Sequence, residues 1–395
     1  MIRMMTAALL LNTDMGIYFF VLPYLSSGLG MSQSEIGLLT AVHSVCYIAV
    51  TCLSGMRRNH LCGAFAARWS ILLAAAVYLI SALCPTRPLL YPLVLLHGLC
   101  QGTFWPEFWA FHAARGGNGE DTGLLCNSFI WITMTSVAAP VLAGFLYPLL
   151  GRCLLLLAAA MLLPSVVCPP PISPKAAGRA AVSAGGDGSG EDRGSPWADL
   201  CRSEQRILLF SGLGGICAAG LAEGAFRATG AFFVRRAGFG ASFWGVLLGI
   251  RLFAQMAVAT ALKRSGPEQL AKLWTALIIA LSEGALCLCF LLLGNAGRAW
   301  TMGIGMALVG TVAGFLHFTA LRIGVFASRP GGRNYGGAAE CLLGLGTFLG
   351  SLFSGFYGTE RYGNPFLPVI LSAALLSAAV IAILGNHIVR KNLQI

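Results

Sequence analysis

The feature that most constrains this chain is a succession of twelve apolar segments, each close to the length that a helix needs to cross a bilayer. A hydrocarbon core of about 30 Å requires about 20 helical residues. Because lipid offers no hydrogen-bond partners, each segment must satisfy its own backbone groups, which predicts helices. The segments span residues 4–26, 33–54, 66–84, 88–112, 123–147, 152–168, 207–234, 242–262, 270–293, 299–326, 336–357 and 365–389.

Composition excludes an ordinary soluble protein. The 395 residues are 57% apolar and 10% charged, with a mean hydropathy of +0.76, whereas soluble domains carry about 25% charged residues. The net charge of +11 does not indicate nucleic acid, because the basic residues sit in short separated loops and form no stripe. Asn12 and Asp14 interrupt the first apolar run and no small-residue cleavage site follows it, so we predict a membrane helix there and not a signal peptide.

A polar segment divides the twelve helices into two sets of six. Residues 169–205 begin with PPPISPK and continue with Ala, Gly, Ser, Asp and Arg, a composition typical of a disordered linker. We therefore predict an all-α polytopic membrane protein with twelve transmembrane helices in two pseudo-symmetric six-helix bundles. The N-terminal bundle covers residues 1–168 and the C-terminal bundle covers residues 206–395.

Basic residues in the loops predict the orientation. With the N-terminus inside, seventeen Lys and Arg residues fall on the inner side and six on the outer side, as the positive-inside rule requires. Both termini and the linker are then cytoplasmic. We expect an integral protein of the bacterial cytoplasmic (inner) membrane.

The two halves repeat each other at an offset near 210 residues. The glycine pattern of residues 98–102 in the fourth segment recurs at 310–314 in the tenth, an offset of 212. Residues 139–144 in the fifth segment match 350–355 in the eleventh at an offset of 211. An even number of helices per half keeps both halves in the same orientation. The result is a parallel repeat, as expected of a two-bundle transporter with a site near the midplane.

On these residues the sequence resembles the major facilitator superfamily. The similar stretches are LPYLSSGLGMSQSEIGLLTA (22–41), Gly98-xxx-Gly102-xxx-Pro106, Ala139-Pro140-xxx-Gly144 and GGAAECLLGLGTFLGSLFSGFYG (336–358). The resemblance covers almost the whole chain. It implies a secondary transporter whose substrate binds between helices 1, 4, 7 and 10, flanked by helices 2, 5, 8 and 11. We expect a monomer in the lipid bilayer.

Arg251 is the sharpest candidate for contact with a substrate. Ionisable residues at membrane depth are costly and indicate function. Arg251 falls at the centre of the eighth segment, with Gln255 one turn further along the same face. A central guanidinium offers a fixed positive fork for a carboxylate or phosphate group. The alternative is a structural ion pair with an acid on another helix.

Aromatic and polar side chains add further candidates for the substrate site. Gln101 and Trp105 are four residues apart on the fourth segment, as are Asn127 and Trp131 on the fifth. Such a stripe forms either a cavity wall or a packing surface and interface belt. His317 corresponds to Trp105 at the repeat offset, which favours a cavity position. We include all five residues with Arg251 and Gln255.

Acidic residues supply the candidates for ion coupling or gating. Asp14 lies in the middle of the first helix, and Glu107 follows a proline in the fourth. Each is a candidate site for a coupling proton or Na⁺, because a low dielectric disfavours a bare carboxylate. Glu223 and Arg227 are four residues apart on one helix, so they form either a self-satisfied pair or a gate. Glu340 lies near the cytoplasmic end of the eleventh segment.

Signatures of catalysis are missing from the sequence. It contains no GxxxxGK[ST], HExxH or GxSxG motif, and its 13 cysteines form no CxxC pair. We therefore predict no catalytic residues, metal or cofactor, and no enzyme. The predicted function is secondary active transport of a small solute by alternating access, with an organic anion or zwitterion and proton coupling as the leading options. The alternative is a non-transporting polytopic membrane protein, either an embedded enzyme or a sensor.

Overall fold

The computed structural model describes residues 2–56, 63–113, 122–167, 200–264, 272–327, 335–357 and 364–393. Within these ranges almost every residue is helical and none lies in a β-strand, which confirms the predicted all-α class. The predicted linker lies outside the described residues as far as residue 199. A helix begins at Arg202, within the last residues of the predicted linker.

The helices follow one another in the order of the apolar segments. They are α1 (Ile2–Gly28), α2 (Gln33–Met56), α3 (Gly63–Leu83), α4 (Arg87–Ala113), α5 (Thr122–Leu150), α6 (Leu154–Val167), α7 (Arg202–Ala225, continued by Phe226–Gly230 and Ala231–Arg236), α8 (Ala241–Lys263), α9 (Leu273–Gly294), α10 (Ala299–Ala327), α11 (Tyr335–Tyr357) and α12 (Leu367–Leu393). A short 3₁₀ turn, Gly151–Cys153, joins α5 to α6.

Nine stretches of the described residues are long and apolar enough to cross a membrane. One of them, the 40-residue stretch Cys126–Ser165, contains both α5 and α6. The described side chains of α3 make only a shorter apolar helix, Arg68–Leu83. α4 is not among the nine, since its sequence is interrupted by Pro92, His97, Gln101 and Pro106.

Helices pack mainly within each half of the chain, and two helix pairs make most of the contact between the halves. In the first half α1 packs on α5 and α6, while α4 packs on α2 and α3. In the second half α7 packs on α10 and α11, while α9 packs on α10 and α12. The most extensive contacts between the halves are α2 with α11 and α5 with α8.

Glycines show that the internal repeat is also a repeat of packing. A Cβ atom at Gly98 of α4 would overlap the backbone carbonyl of His43 in α2. A Cβ atom at Gly310 of α10 would overlap the backbone carbonyl of Arg251 in α8. His43 and Arg251 are 208 residues apart, so α4 sits on α2 as α10 sits on α8. Small residues permit this close approach of helix backbones.

The two main contacts between the halves, α2 with α11 and α5 with α8, follow the same repeat. Gly37 of α2 lies against Gly355 of α11, and Gly144 of α5 lies against Gly245 of α8. In each pair a Cβ atom added to one glycine would lie within 3.0 Å of the Cα of the other. These glycines allow backbone to meet backbone, and larger side chains there would push the halves apart.

A π-helical turn interrupts α7 at Phe226–Gly230. Such turns are rare and occur often at functional sites. A Cβ atom at Gly230 would overlap the ring of Trp244, so the glycine allows α8 to pack tightly at this point. The turn also contains Arg227, which places a predicted gating residue on locally distorted backbone.

Candidate functional site

A cavity of about 230 Å³ lies between the two halves of the chain. Its walls come from α1, α2, α4 and α5 in the first half and from α7, α8, α10 and α11 in the second. These are the eight helices that the resemblance implies around a substrate. The glycine contacts described above bring the helices of the two halves together beside it.

A cluster of three charged side chains dominates one wall. The Arg227 guanidinium donates from Nε to Oε1 of Glu223 at 2.9 Å, and Arg251 donates from Nη2 to Oε2 of the same carboxylate at 2.5 Å. The Arg251 side chain is 5% exposed, Arg227 14% and Glu223 28%. One carboxylate therefore holds two guanidinium groups, and the cluster carries one positive charge in excess.

Arg251 consequently lies on the cavity wall without being a free positive charge. Its partner Glu223 belongs to the same half of the chain, so the predicted alternative of a structural ion pair is present in the structure. The Nε atom of Arg251 is nevertheless buried and has no hydrogen-bond partner among the described residues. One N–H of the guanidinium group is thus unsatisfied within the described part of this structure.

Two of the side-chain contacts that cross between the halves at the cavity join a charged group to an aromatic side chain. The Arg227 guanidinium lies 3.9 Å from the centre of the Phe19 ring in α1, a distance typical of a cation–π interaction. On another wall, the Tyr47 hydroxyl of α2 donates a short hydrogen bond to Oε2 of Glu340 in α11. The charged groups of the second half therefore rest on aromatic side chains of the first.

A hydrogen-bonded row of polar side chains supports α4. Trp105 donates from Nε1 to Oε1 of Gln101 at 2.6 Å, and the Gln101 amide lies 3.5 Å from Nε2 of His97. The Tyr78 hydroxyl of α3 lies 3.0 Å from the same nitrogen. Gln101 and Trp105 line the cavity, whereas His97 is fully buried behind it.

The first helix contributes a pair of polar residues with different environments. Asn12 lines the cavity and donates to α5, at 2.9 Å to the backbone oxygen of Ile132 and at 2.5 Å to the Ser136 hydroxyl. Asp14 is completely buried, does not line the cavity, and has no hydrogen-bond partner for either carboxylate oxygen among the described residues. Asp14 thus lies in the wall and not on its surface.

Five of the seven residues predicted for the substrate site line this cavity: Gln101, Trp105, Arg251, Gln255 and His317. Among those predicted for coupling or gating, Glu223, Arg227 and Glu340 also line it. The side chain of Glu107 lies outside the described part of the structure, although its backbone continues α4.

The structure does not bring Asn127 or Trp131 to the cavity. Trp131 is 52% exposed on the outer surface, and Asn127 is exposed and accepts a hydrogen bond from Lys263 of α8 at 2.6 Å. At about 100° per residue, both project from the side of α5 roughly opposite to the cavity-lining Phe129 and Thr133. Asn127 and Trp131 therefore share one face of α5, as their spacing predicts, but this face does not line the cavity.

The sequence interpretation missed the contribution of α2. His43, Ser44 and Tyr47 all line the cavity, and the His43 ring stands 5.1 Å from that of His97. A signal was present, because His43 and Tyr47 are one turn apart in an apolar segment. Trp244 of α8 was also missed, since an isolated tryptophan near a segment end is typical of an interface belt.

Solved structures provide the comparison for the whole fold. The nucleoside transporter NupG matches with a TM-score of 0.64 and 15% identity over 97% of this chain and 98% of that one. The tetrameric PepTSo2 matches at 0.62 and 13% over 100% and 98%. The human organic anion transporter MFSD10 (TETRAN) matches at 0.63 and 15% over 97% of each chain. No family model and no curated protein matches the sequence.

These findings indicate the class of protein. The long apolar helices of the described residues, together with a fold shared with solved transporters over nearly the whole chain, support a polytopic integral membrane protein. At 13–15% identity this likeness shows a fold shared with these solved transporters and assigns no subfamily. The resemblance that the sequence suggested is confirmed at the level of the fold.

Proposed function

We propose that this chain is a secondary active transporter for a small organic solute. The observation that carries the proposal is the cavity between the two halves, with its cluster of Glu223, Arg227 and Arg251. Ionisable groups at membrane depth are expensive and are typical of substrate and ion pathways. A volume of about 230 Å³ suits a small molecule.

Alternating access is the mechanism that we infer for it. Two six-helix bundles, residues 1–168 and 206–395 joined by the linker 169–205, rock about the cavity and open it to each side in turn. The glycine contacts of α2 with α11 and of α5 with α8 support this, because smooth backbone surfaces can change their angle without breaking interlocked side chains. Following the basic residues, we place both termini on the cytoplasmic side.

The substrate that fits this wall best has both charges and an apolar or aromatic body. Counted at their usual charges, two arginines and two glutamates line the cavity and cancel, which favours a zwitterion over a simple anion. The anionic end would bind at the unpartnered Nε edge of Arg251. The apolar body would lie on aromatic rings of the first half such as Phe19 and Trp105.

Asp14 is the residue to which we assign proton coupling. It is buried with no partner for its oxygens among the described residues, and an uncompensated charge in such a place is costly. A carboxyl group there is suited to accept a proton in one state and to release it when the wall opens to water. We favour a proton over Na⁺, because a metal ion takes several oxygen ligands at once.

Transport by purified protein in liposomes tests the proposal. The solute panel contains nucleosides and organic anions, the substrate classes in the names of two similar structures, together with peptides and zwitterionic amino acids. Proton and Na⁺ gradients are imposed separately. We expect uptake of at least one solute above that of protein-free liposomes, driven by an inward proton gradient.

Two arginine variants make the matched control. Arg251→Gln removes the cavity charge, whereas Arg298→Gln removes a charge from an exposed position before α10. Uptake should fall in the first variant and persist in the second. A complete absence of flux in folded wild-type protein, across all solutes and both gradients, would overturn the transport proposal.

A further inference from the structure

The contact between α2 and α11 has two different ends. At one end Gly37 and Gly355 bring the two backbones together. Toward the other end the contact is made by side chains: Tyr47 donates a hydrogen bond to Glu340, and beyond it two cysteines face each other. The repeat offers no counterpart of this thiol contact, since the residues 208 positions after Cys52 and 211 before Cys341 are Thr260 and Ile130.

The two thiols are close enough to react. The sulfur of Cys52 in α2 lies 3.0 Å from that of Cys341 in α11, and both residues are partly exposed. The Cys341 thiol also points to the backbone oxygen of Ile48 at 3.9 Å, which keeps it over the surface of α2. A disulfide requires about 2.05 Å between sulfurs, so small side-chain rotations suffice to close the remaining gap.

We propose that Cys52 and Cys341 form an oxidative modification site that fastens the two halves of the transporter together. With a peroxide as oxidant, one thiolate attacks the O–O bond and becomes a sulfenic acid while water or an alcohol leaves. The second thiolate then displaces water from the sulfenic sulfur and the S–S bond forms. Two thiols lose two electrons and two protons in all, and a dithiol reductant reverses the step.

The consequence for the protein rests on the proposed rocking of the two halves. A disulfide holds the Cβ atoms of its cysteines within about 3.5–4.5 Å of each other. The hydrogen bond and the thiol contact can break and reform when α2 and α11 separate at this end, but a covalent bond cannot. Oxidation would therefore trap the transporter with this end closed and stop turnover reversibly.

Crosslinking between the halves tests the site without any substrate. A protease site is inserted between α6 and α7 in the full chain, the protein is treated with hydrogen peroxide, and the cleaved sample is run on a non-reducing gel. We expect the two halves to stay linked in the wild type and to separate after dithiothreitol, with a Cys52–Cys341 peptide in the mass spectrum. Cys52→Ser and Cys341→Ser should each abolish the link.

Cys46→Ser is the matched control on the same helix. Cys46 faces α4 and not α11, because a Cβ atom at Gly98 would lie 3.3 Å from its Cβ. This variant should crosslink like the wild type. If peroxide fails to link the halves in the wild type, or links them equally in Cys52→Ser, the proposed site is wrong whether or not the protein transports anything.

Two measurements test whether the disulfide stops the movement of the two halves. Uptake into liposomes should fall to the protein-free level after oxidation and recover with dithiothreitol, in the wild type but not in Cys52→Ser. Hydrogen–deuterium exchange needs no substrate, and it should slow on oxidation in the peptides around Cys52 and Cys341. If the protein is crosslinked but its hydrogen–deuterium exchange or its uptake is unchanged, the disulfide does not hold the two halves closed and this part of the proposal is wrong. Absent uptake with slowed exchange would refute only the transport function.

Discussion

Glu223 is the residue whose neutralisation should damage the protein most. Its carboxylate holds Arg227 at 2.9 Å and Arg251 at 2.5 Å. Glu223→Gln leaves two guanidinium groups facing each other without a counter-charge. Arg251→Gln leaves one complete ion pair. Because the two substitutions remove similar numbers of hydrogen bonds, the net charge that remains in the cluster decides which variant is less stable.

The magnitudes follow from the geometry. At an effective dielectric constant of about 20 and about 4 Å between charges, each contact contributes about 4 kcal/mol before desolvation is subtracted. Removing one partner of a buried pair costs about 3–5 kcal/mol. Since the Glu223 side chain keeps 28% exposure to the cavity, we expect the lower end for Glu223→Gln, about 3 kcal/mol, and about 1–2 kcal/mol for Arg251→Gln.

Thermal unfolding of purified protein in detergent, followed by tryptophan fluorescence, measures this order. The wild type should unfold at the highest temperature, Arg251→Gln below it and Glu223→Gln lowest. The double variant should unfold at a higher temperature than Glu223→Gln, because it also removes one of the two positive charges that repel each other. Glu35→Gln is the control, since Glu35 pairs with Arg87 on the surface, where ion pairs contribute little.

Equal melting temperatures of Glu223→Gln and Arg251→Gln would refute the shared-carboxylate reasoning. A double variant less stable than both single variants would do the same. Either result would mean that the two arginines are neutralised from elsewhere, or that water screens the cluster completely.

Three further substitutions test the remaining assignments. Trp105→Phe loses a hydrogen bond and should weaken substrate binding by about 0.5–1.5 kcal/mol. Trp131→Phe is the control and should leave uptake unchanged. Uptake measured over a range of substrate concentrations compares the two variants, and the opposite pattern would contradict our placement of α5. Asp14→Asn should leave the fold intact and remove the dependence of uptake on the proton gradient; a retained dependence excludes Asp14 as the coupling residue. Phe19→Ala deletes a cation–π contact with Arg227, of about 1 kcal/mol. If Arg227 belongs to a gate, this variant should change the uptake rate more than the melting temperature. The reverse outcome would favour a structural Glu223–Arg227 pair.

The all-helical class and the order of the apolar helices could be predicted because lipid imposes them. A span must be apolar, close to 20 residues and helical, and such segments stand out in this sequence. The close-packing glycines could be predicted too, since small residues at four-residue spacing allow backbones to meet. The contact of Gly98 with α2 and that of Gly310 with α8 follow this expectation.

The rotation of each helix about its axis could not be predicted with the same success. In a soluble protein the apolar stripe of a helix identifies the side that faces the core, but lipid is as apolar as a core and erases that distinction. Trp131 therefore looked as suitable for a cavity as Trp105. Polar residues carry more information on this point, although not without exceptions: Gln101, Arg251 and His317 line the cavity, whereas Asn127 and Asp14 do not.

Relations between distant residues were the other part that the sequence did not reveal. Glu223 and Arg227 were expected to pair because they are one turn apart, and they do. The second partner, Arg251, is 28 residues away on another helix, so no local spacing predicts it. The π-helical turn at Phe226–Gly230 is likewise a consequence of packing, because no proline marks it.

The repeat explains how these residues come to face one another. At the offset of 208 that relates α2 to α8, Arg227 corresponds to Phe19 and Arg251 to His43. Arg227 and Phe19 are in contact, and equivalent positions of a repeat can meet only where its two halves face each other. The charges at these positions belong to the second half, and the rings belong to the first. A solute at this junction would therefore place its charged end toward α7 and α8 and its apolar body toward α1 and α2, which is the orientation that an aromatic zwitterion satisfies and a compact inorganic anion does not.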